Sequence, residues 1–309
     1  MNAIQALPFS INPSKRKPTA SKLFIKSSQS ILITWALVLS LMAIAQHVNN
    51  IFFSFFCCLL MGGAQQRFFT IYHEAFHSNL YANKRLNNSA AKYLACYPSL
   101  STFYSAKRRH LAHHARTATD FDPERVSHIR SVFEFASLAF PWIAFPRLLI
   151  SKITRRPKSS GMSCSENSNQ LTMTFALEEI PPLLAFNLIL LVVLANAFPH
   201  SWWIYYGSLV TFYGLLSMIR SWVEHFNYDQ TASPAYRVNI YPNIVEKYFF
   251  SPMSFNMHLL HHSNPSIPSF QLAEITNDYK NEFSSIEIRR NSYISTFYRH
   301  FILHSFRNA

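Results

Sequence analysis

The sequence predicts an all-α integral membrane protein: a four-helix bundle of two transmembrane hairpins beneath a helical cytoplasmic cap. Three observations predict it. From Ser27 to Gln66, and again from Ile180 to Ile219, there is no Asp, Glu, Lys or Arg. A short polar turn breaks each window near its middle, Gln46-His47-Val48-Asn49-Asn50 in the first and Pro199-His200-Ser201 in the second. The 309-residue chain is 49% hydrophobic and only 14% charged, against about 25% charged in a soluble domain. A charge-free window of about 40 residues is roughly 60 Å of helix, enough for two crossings of a ~30 Å hydrocarbon core. Buried helices of a large soluble domain would not normally lose every charge over two such windows.

Taken in order, residues 1–28 carry Lys15, Arg16, Lys17, Lys22 and Lys26 and no acid, as expected of a basic, disordered cytoplasmic tail. Residues 29–275 form the membrane domain, with spans expected at 29–46, 51–70, 182–198 and 202–221. Lys and Arg crowd the segment between the hairpins and are missing from both hairpin turns. By the positive-inside rule the chain is multi-pass with both termini cytoplasmic, and only the two turns face outward. The apolar stretch Ser131–Ile150 is broken by Pro141 and Pro146 and is expected to lie in the interface, because a fifth span would reverse the sidedness of the remaining chain. Ser159–Thr174 reads as a polar connector. Residues 276–309 read as an amphipathic cytoplasmic segment, with Ile294, Phe297 and Phe301 at helical spacing. The net charge of +13 suits loops lying against anionic lipid rather than a nucleic-acid site. The four cysteines show no C-x-x-C spacing and two lie in an expected span, so no disulfide framework is expected.

The chemistry is carried by histidine. Eight imidazoles fall into three clusters: His73-Glu-Ala-Phe-His77, His110-Leu-Ala-His113-His114 and His258-Leu-Leu-His261-His262. Residues three or four apart share one helix face, so each cluster aims at one place. His225 follows Arg220 just past the second charge-free window, much as His73 follows Arg67 past the first, which makes it a ninth candidate ligand. All nine lie on the cytoplasmic side. Eight or nine nitrogens over two metal ions give about four or five each and leave positions open for a substrate or dioxygen. Glu74, Asp120, Asp122, Glu224 and Asn256 are the polar neighbours expected to orient these ligands.

Taken alone, His73-Glu74-Ala75-Phe76-His77 matches the H-E-x-x-H signature of zinc hydrolases, with Glu74 as general base. That reading leaves both H-x-x-H-H clusters without a role, although a metal-transporting or metal-sensing membrane protein would also use them. Ligation almost entirely by neutral nitrogen leaves the charge of iron uncompensated and favours a strongly oxidising centre. At a membrane surface, such a centre points to attack on an unactivated C–H bond of a lipid.

The three histidine boxes, together with Arg220-Ser-Trp-Val-Glu224-His225 and the run Ser254–Pro268, resemble those of the membrane-bound fatty acid desaturases and their hydroxylase and carotenoid-oxygenase relatives. The resemblance runs from about Ile51 to Glu274. It implies a di-iron centre, a greasy substrate tunnel, O2 as co-substrate and two electrons from a separate redox protein of ferredoxin or cytochrome b5 type. The third box begins with His258 where front-end desaturases have glutamine, and there is no His-Pro-Gly-Gly segment. A fused electron donor is therefore not expected. Glu224-His225 and Thr119–Pro123 also resemble the carotenoid ketolase and hydroxylase branch, so the implied reaction is desaturation, with hydroxylation or ketolation as the alternative.

Overall fold

A computed structural model describes residues 18–117, 119, 121–124, 129, 131–140, 142, 164–226 (side chains from 177 onward) and 238–303. The first hairpin pairs α1 (Ala20–Val48) with α2 (Ile51–Phe76). The Thr19 hydroxyl accepts the Lys22 N–H at 3.2 Å and starts α1 well inside the expected tail. Two asparagines make the turn. Asn49 takes left-handed backbone (φ 45) and stops α1, and the Asn50 side chain accepts the Phe53 N–H at 3.1 Å to start α2. Asparagine does both because its short amide tolerates that conformation and caps a helix. The buried face of α1 is a stripe of Ile31, Thr34, Val38, Met42 and Ala45, with Leu32 facing out. By contrast α2 is buried almost all round from Met61 to Phe76, which makes it the central helix.

After the first hairpin follow α3 (Lys84–Ala91), which runs into a π-turn at Lys92–Cys96, then α4 (Phe103–Arg116) and α5 (Val132–Ala139). The return is α6 (Cys164–Ala197), whose Glu179 accepts the first N–H groups of α4, from Phe103 at 3.1 Å and Tyr104 at 2.8 Å. A last helical path joins α7 (Trp202–Ser208), a π-turn at Leu209–Tyr213 and α8 (Gly214–His225). Among the described residues three stretches are long and apolar enough to cross a membrane: Ala20–Val48, Ile51–Phe76 and Leu177–Ala197. The fourth expected span is the interrupted path. Its irregular turn is engaged by polar side chains, Gln66 donating to the Tyr213 carbonyl and the Trp142 indole to that of Val210, both at 3.0 Å. The turn after α6 meets the end of α1 where the Ser201 hydroxyl donates to the Met42 carbonyl at 2.8 Å.

The C-terminal part of the chain packs under and beside these helices. It comprises β1 (Val238–Ile240), α9 (Ile244–Phe250), α10 (His258–Ser263), α11 (Ser269–Asp278), α12 (Lys280–Ser284), β2 (Ile288–Arg290) and α13 (Tyr293–Phe297), which ends in a π-turn at Tyr298–Ile302.

Several expectations need correcting. The molecule is mostly helical rather than all-α, because β1 and β2 pair in parallel with Asn239 opposite Arg289. Three-residue strands leave no periodicity to read. The expected connector Ser159–Thr174 is helical from Cys164 onward. In the last segment Phe297 and Phe301 pack on Trp222 and Phe135, and Tyr293 is fully buried.

Candidate metal centre

Helix geometry decides how nine histidines can share two places. A step of four residues turns about 40° past a full circle, and a step of three stops about 60° short. Each H-x-x-H-H cluster therefore offers one i, i+4 pair and one imidazole set aside from it. The packing uses this split in opposite senses. From α4, His110 and His114 join His73, His77 and His261, five rings whose ligand atoms all lie within 4.8 Å of one another. The remaining α4 histidine, His113, joins His225 and His262 in a second group. From α10 the pair His258 and His262 goes to the second group and His261 to the first. His258 reaches that second group with its Nε2 3.2 Å from Nε2 of His225.

Three of the rings are anchored through their other nitrogen. Nδ1–H of His113 donates to Asp122 at 2.8 Å, both side chains being almost fully buried. Nδ1–H of His110 donates to Glu124 at 3.2 Å, and Nδ1–H of His225 to the Ser221 carbonyl at 2.9 Å. Each bond fixes the tautomer and leaves Nε2 bare. The Nε2 atoms of His113 and His225 face each other at 3.0 Å. The same nitrogens approach to 3.1 Å in the pairs His77–His110 and His114–His261. Two lone pairs at that distance repel unless a cation lies between them. Metal–nitrogen bonds of about 2.1 Å at right angles place ligand nitrogens about 3.0 Å apart, so the spacing fits a metal. Protonation of His77 or His225 does not supply that cation. Burial, reinforced by neighbouring basic groups, lowers His77 to about 2 and His225 to about 3. Burial likewise holds His110, His114, His258, His261 and His262 below the ordinary imidazole range. They are neutral, as metal ligands must be. His73 adds a further sign: both its ring nitrogens are buried with no hydrogen-bond partner.

Residues 49–293 match the family described as fatty acid desaturase, a span that contains all nine histidines. The chain belongs to the fatty acid desaturase family. No match is found among curated proteins. Membership makes this an oxidoreductase of lipids associated with a membrane, and the family generally uses a di-iron centre with O2 and an electron donor.

In this desaturase-family site the expected polar neighbours have distinct positions. Asp122 anchors His113, and Asp120 lies outside the described residues. Glu224 accepts the Tyr293 hydroxyl at 2.9 Å, pairs with Arg220 at 3.6 Å and lies 4.0 Å from His258 Nδ1. Burial pushes its carboxyl up to about 7 against the pull of Arg220. Glu74 does not reach a histidine: its carboxylate accepts the Ser269 N–H at 2.9 Å, the first of α11. Asn256 binds backbone, donating to the Ile240 carbonyl at 2.7 Å, and so ties the start of the third box to β1.

Sequence reasoning missed Glu124. Burial alone would raise its carboxyl, but the hydrogen bond and charge of His110, with Arg109 at 3.1 Å, bring it well below the usual carboxylate range. The only trace in the sequence was its position directly after the Asp120–Pro123 run. Tyr293 was also missed, because its partner lies 69 residues away.

A cavity of about 470 Å³ opens onto the histidines, with Phe69, Phe255, Ile129, Leu138 and Met218 as its apolar wall. The Arg220 guanidinium stacks 3.9 Å from the Phe69 ring and 4.9 Å from that of Phe255. The cavity thus has an apolar wall and an imidazole wall, with Arg109, Glu124, Glu134 and Glu224 also on its lining.

Proposed function

We propose that the chain uses O2 and two electrons to desaturate a fatty acyl chain or lipid, with two iron ions held by nine histidines. The observation that carries this reading is the facing pair His113 and His225, two rings anchored through Nδ1 whose Nε2 atoms stand 3.0 Å apart within a cluster of nine imidazoles. His73, His77, His110, His114 and His261 would hold one ion, and His113, His225, His258 and His262 the other. When bound, iron supplies the dioxygen reduction that no side chain of the protein can perform. Over the whole reaction a CH2–CH2 unit loses two hydrogens. O2 takes these together with two protons and two electrons from a separate donor, of ferredoxin or cytochrome b5 type, and leaves as two waters.

The chain's own residues position and exclude. Phe69, Phe255 and Met218 hold one methylene against the histidines and keep bulk water out. Asp122, Glu124 and the Ser221 carbonyl keep each ring in the tautomer that presents Nε2. The topology that suits this function is two hairpins, with residues 202–221 as the fourth span and both termini cytoplasmic. Residues 29–275 are the membrane domain, behind a cytoplasmic tail, and 276–309 complete the cap.

Hydroxylation or ketolation of a lipid or carotenoid would use the same residues and differ only in product. A zinc hydrolase based on His73–His77 is not favoured, because the carboxylate it needs as base is engaged at Ser269. The test is metal analysis of the purified protein with lipid and pigment profiling of a host that expresses it. Two irons per chain and a new cis double bond are expected. Loss of that product is expected for His110→Ala and His261→Ala with membrane insertion intact. Zinc in place of iron, or product retained in those variants, would overturn the reading.

A further inference from the structure

α9 is a short helix with an outward face that the proposed reaction does not use. Ile244 is 79% exposed and Val245 60%. Its one carboxylate points the other way: Glu246 is buried and accepts the Ser292 hydroxyl at 2.7 Å and the Ile294 N–H at 3.1 Å. The outward face is therefore two β-branched apolar side chains beside the exposed Lys247. Scattered exposed apolar residues are ordinary, so exposure decides nothing by itself. Depth decides it.

The Tyr248 hydroxyl donates to the Leu60 carbonyl at 2.7 Å, within the charge-free part of α2. Helix and ring are pressed together, since a Cβ at Gly63 would stand 2.3 Å from the Tyr248 ring. Arg67 is the first charge along α2, four residues beyond Gly63 and seven beyond Leu60. At about 1.5 Å per residue, α9 meets α2 roughly 6 to 10 Å on the membrane side of that charge. The outer turn at Asn50 is about 15 to 20 Å further along the same axis. A second helix marks the same level from the other side. The Ala139 carbonyl at the end of α5 lies against Gly214, and Trp142 reaches Val210, while Phe212 between them packs on Gly62. α5 also turns Val132 and Phe133 outward.

The geometry points to α9 as a helix immersed in the cytoplasmic leaflet, with Ile244 and Val245 set among the acyl chains of the bilayer. Lys247 reaches back to the headgroups along its own methylene stem. With α5 it forms a collar around α2 and α8 at one depth, fixing how far the histidine groups stand above the hydrocarbon. This rests on the membrane reading of the chain and not on the reaction.

The test is a nitroxide at Val245→Cys, in the full chain with Cys164→Ser, reconstituted in phosphatidylcholine vesicles. Cys57, Cys58 and Cys96 are buried and stay in place, and the parent without Val245→Cys gives the blank. Two more labels calibrate it: Leu188→Cys on the exposed face of α6 and Glu282→Cys on α12. Collision with dissolved O2 should exceed collision with a water-soluble nickel chelate at 245 and 188, and the order should reverse at 282. A label at 245 that behaves like 282 while 188 behaves as in lipid would overturn the inference alone. So would a label at 245 shielded from both reagents, which would mean that protein covers this face. If 188 also behaves like 282, the membrane reading itself fails, independently of any activity.

Discussion

Replacing Asp122 by Ala should weaken metal binding far more than it weakens the fold. Asp122 accepts two hydrogen bonds, from His113 Nδ1–H at 2.8 Å and from the Glu124 N–H at 2.9 Å. Both Asp122 and His113 side chains are 2% exposed or less, so water does not readily replace the lost acceptor. Leaving a buried donor unpaired costs about 1–3 kcal/mol. More telling is the tautomer. Without the carboxylate, the His113 proton is no longer held on Nδ1, and on Nε2 it would meet His225 at 3.0 Å and block a ligand position. Loss of such an outer partner typically costs 10- to 100-fold in metal affinity, about 1.4–2.8 kcal/mol. Asp122→Asn keeps an acceptor oxygen and should lose about tenfold or less, chiefly through charge. The assay is anaerobic titration of the purified apo-protein with ferrous ion, scored by half-saturation and by bound iron per chain, with melting temperature as the control for folding. Wild-type iron affinity in Asp122→Ala would refute the argument that this carboxylate sets the His113 tautomer.

Glu74→Gln retains an acceptor for the Ser269 N–H and should leave turnover within a few-fold of wild type, whereas a hydrolase using Glu74 as base would be silenced; turnover of a common substrate tells the two apart. Lowered imidazole pKa values also give the apo-protein a pH dependence with a definite sign. His77 and His225 stay neutral in the folded state down to about 2 and about 3, while the unfolded chain takes up protons below about 6.5, so stability falls as pH drops through 6.5. Each contributes up to about 1.4 kcal/mol per pH unit, and melting temperatures between pH 7.5 and 5.5 should decline; a flat profile would contradict it. Gly63→Ala places a methyl within 2.3 Å of the Tyr248 ring, so an overpacking cost of about 1–3 kcal/mol should lower thermal stability, and Tyr248→Ala should relieve it in the double variant.

Much of the site was legible because its regularities are local. The spacing His110, His113, His114 places three rings on one side of α4 whatever surrounds it, and so does the matching spacing in α10. Charge-free windows report a membrane for a similarly local reason, since each buried charge in lipid is costly wherever the helix packs. Asn49 and Asn50 marked the first turn because turning and capping are tasks of single residues.

Other features needed the packed molecule. Helix starts at Ala20 and Cys164 were hidden by polar composition; at Ala20 the Thr19 cap and the buried Leu23 and Ser27 hold the helix. Glu74 sits beside His73 in sequence, yet its side chain leaves the helix on another face and meets α11, so adjacency misled. Glu124 and Tyr293 reach their partners across 14 and 69 residues, with no spacing rule to announce them.

The sequence by itself determined that nine imidazoles are candidate ligands and that each cluster converges. Only the tertiary structure decided how they divide, His261 going to α4's pair and His113 to α10's, across a separation of 147 residues between His114 and His261. The reason is geometric: a helix fixes the angles between its own side chains, but which angle faces which neighbour depends on how two distant helices cross, and that crossing is set by the whole core.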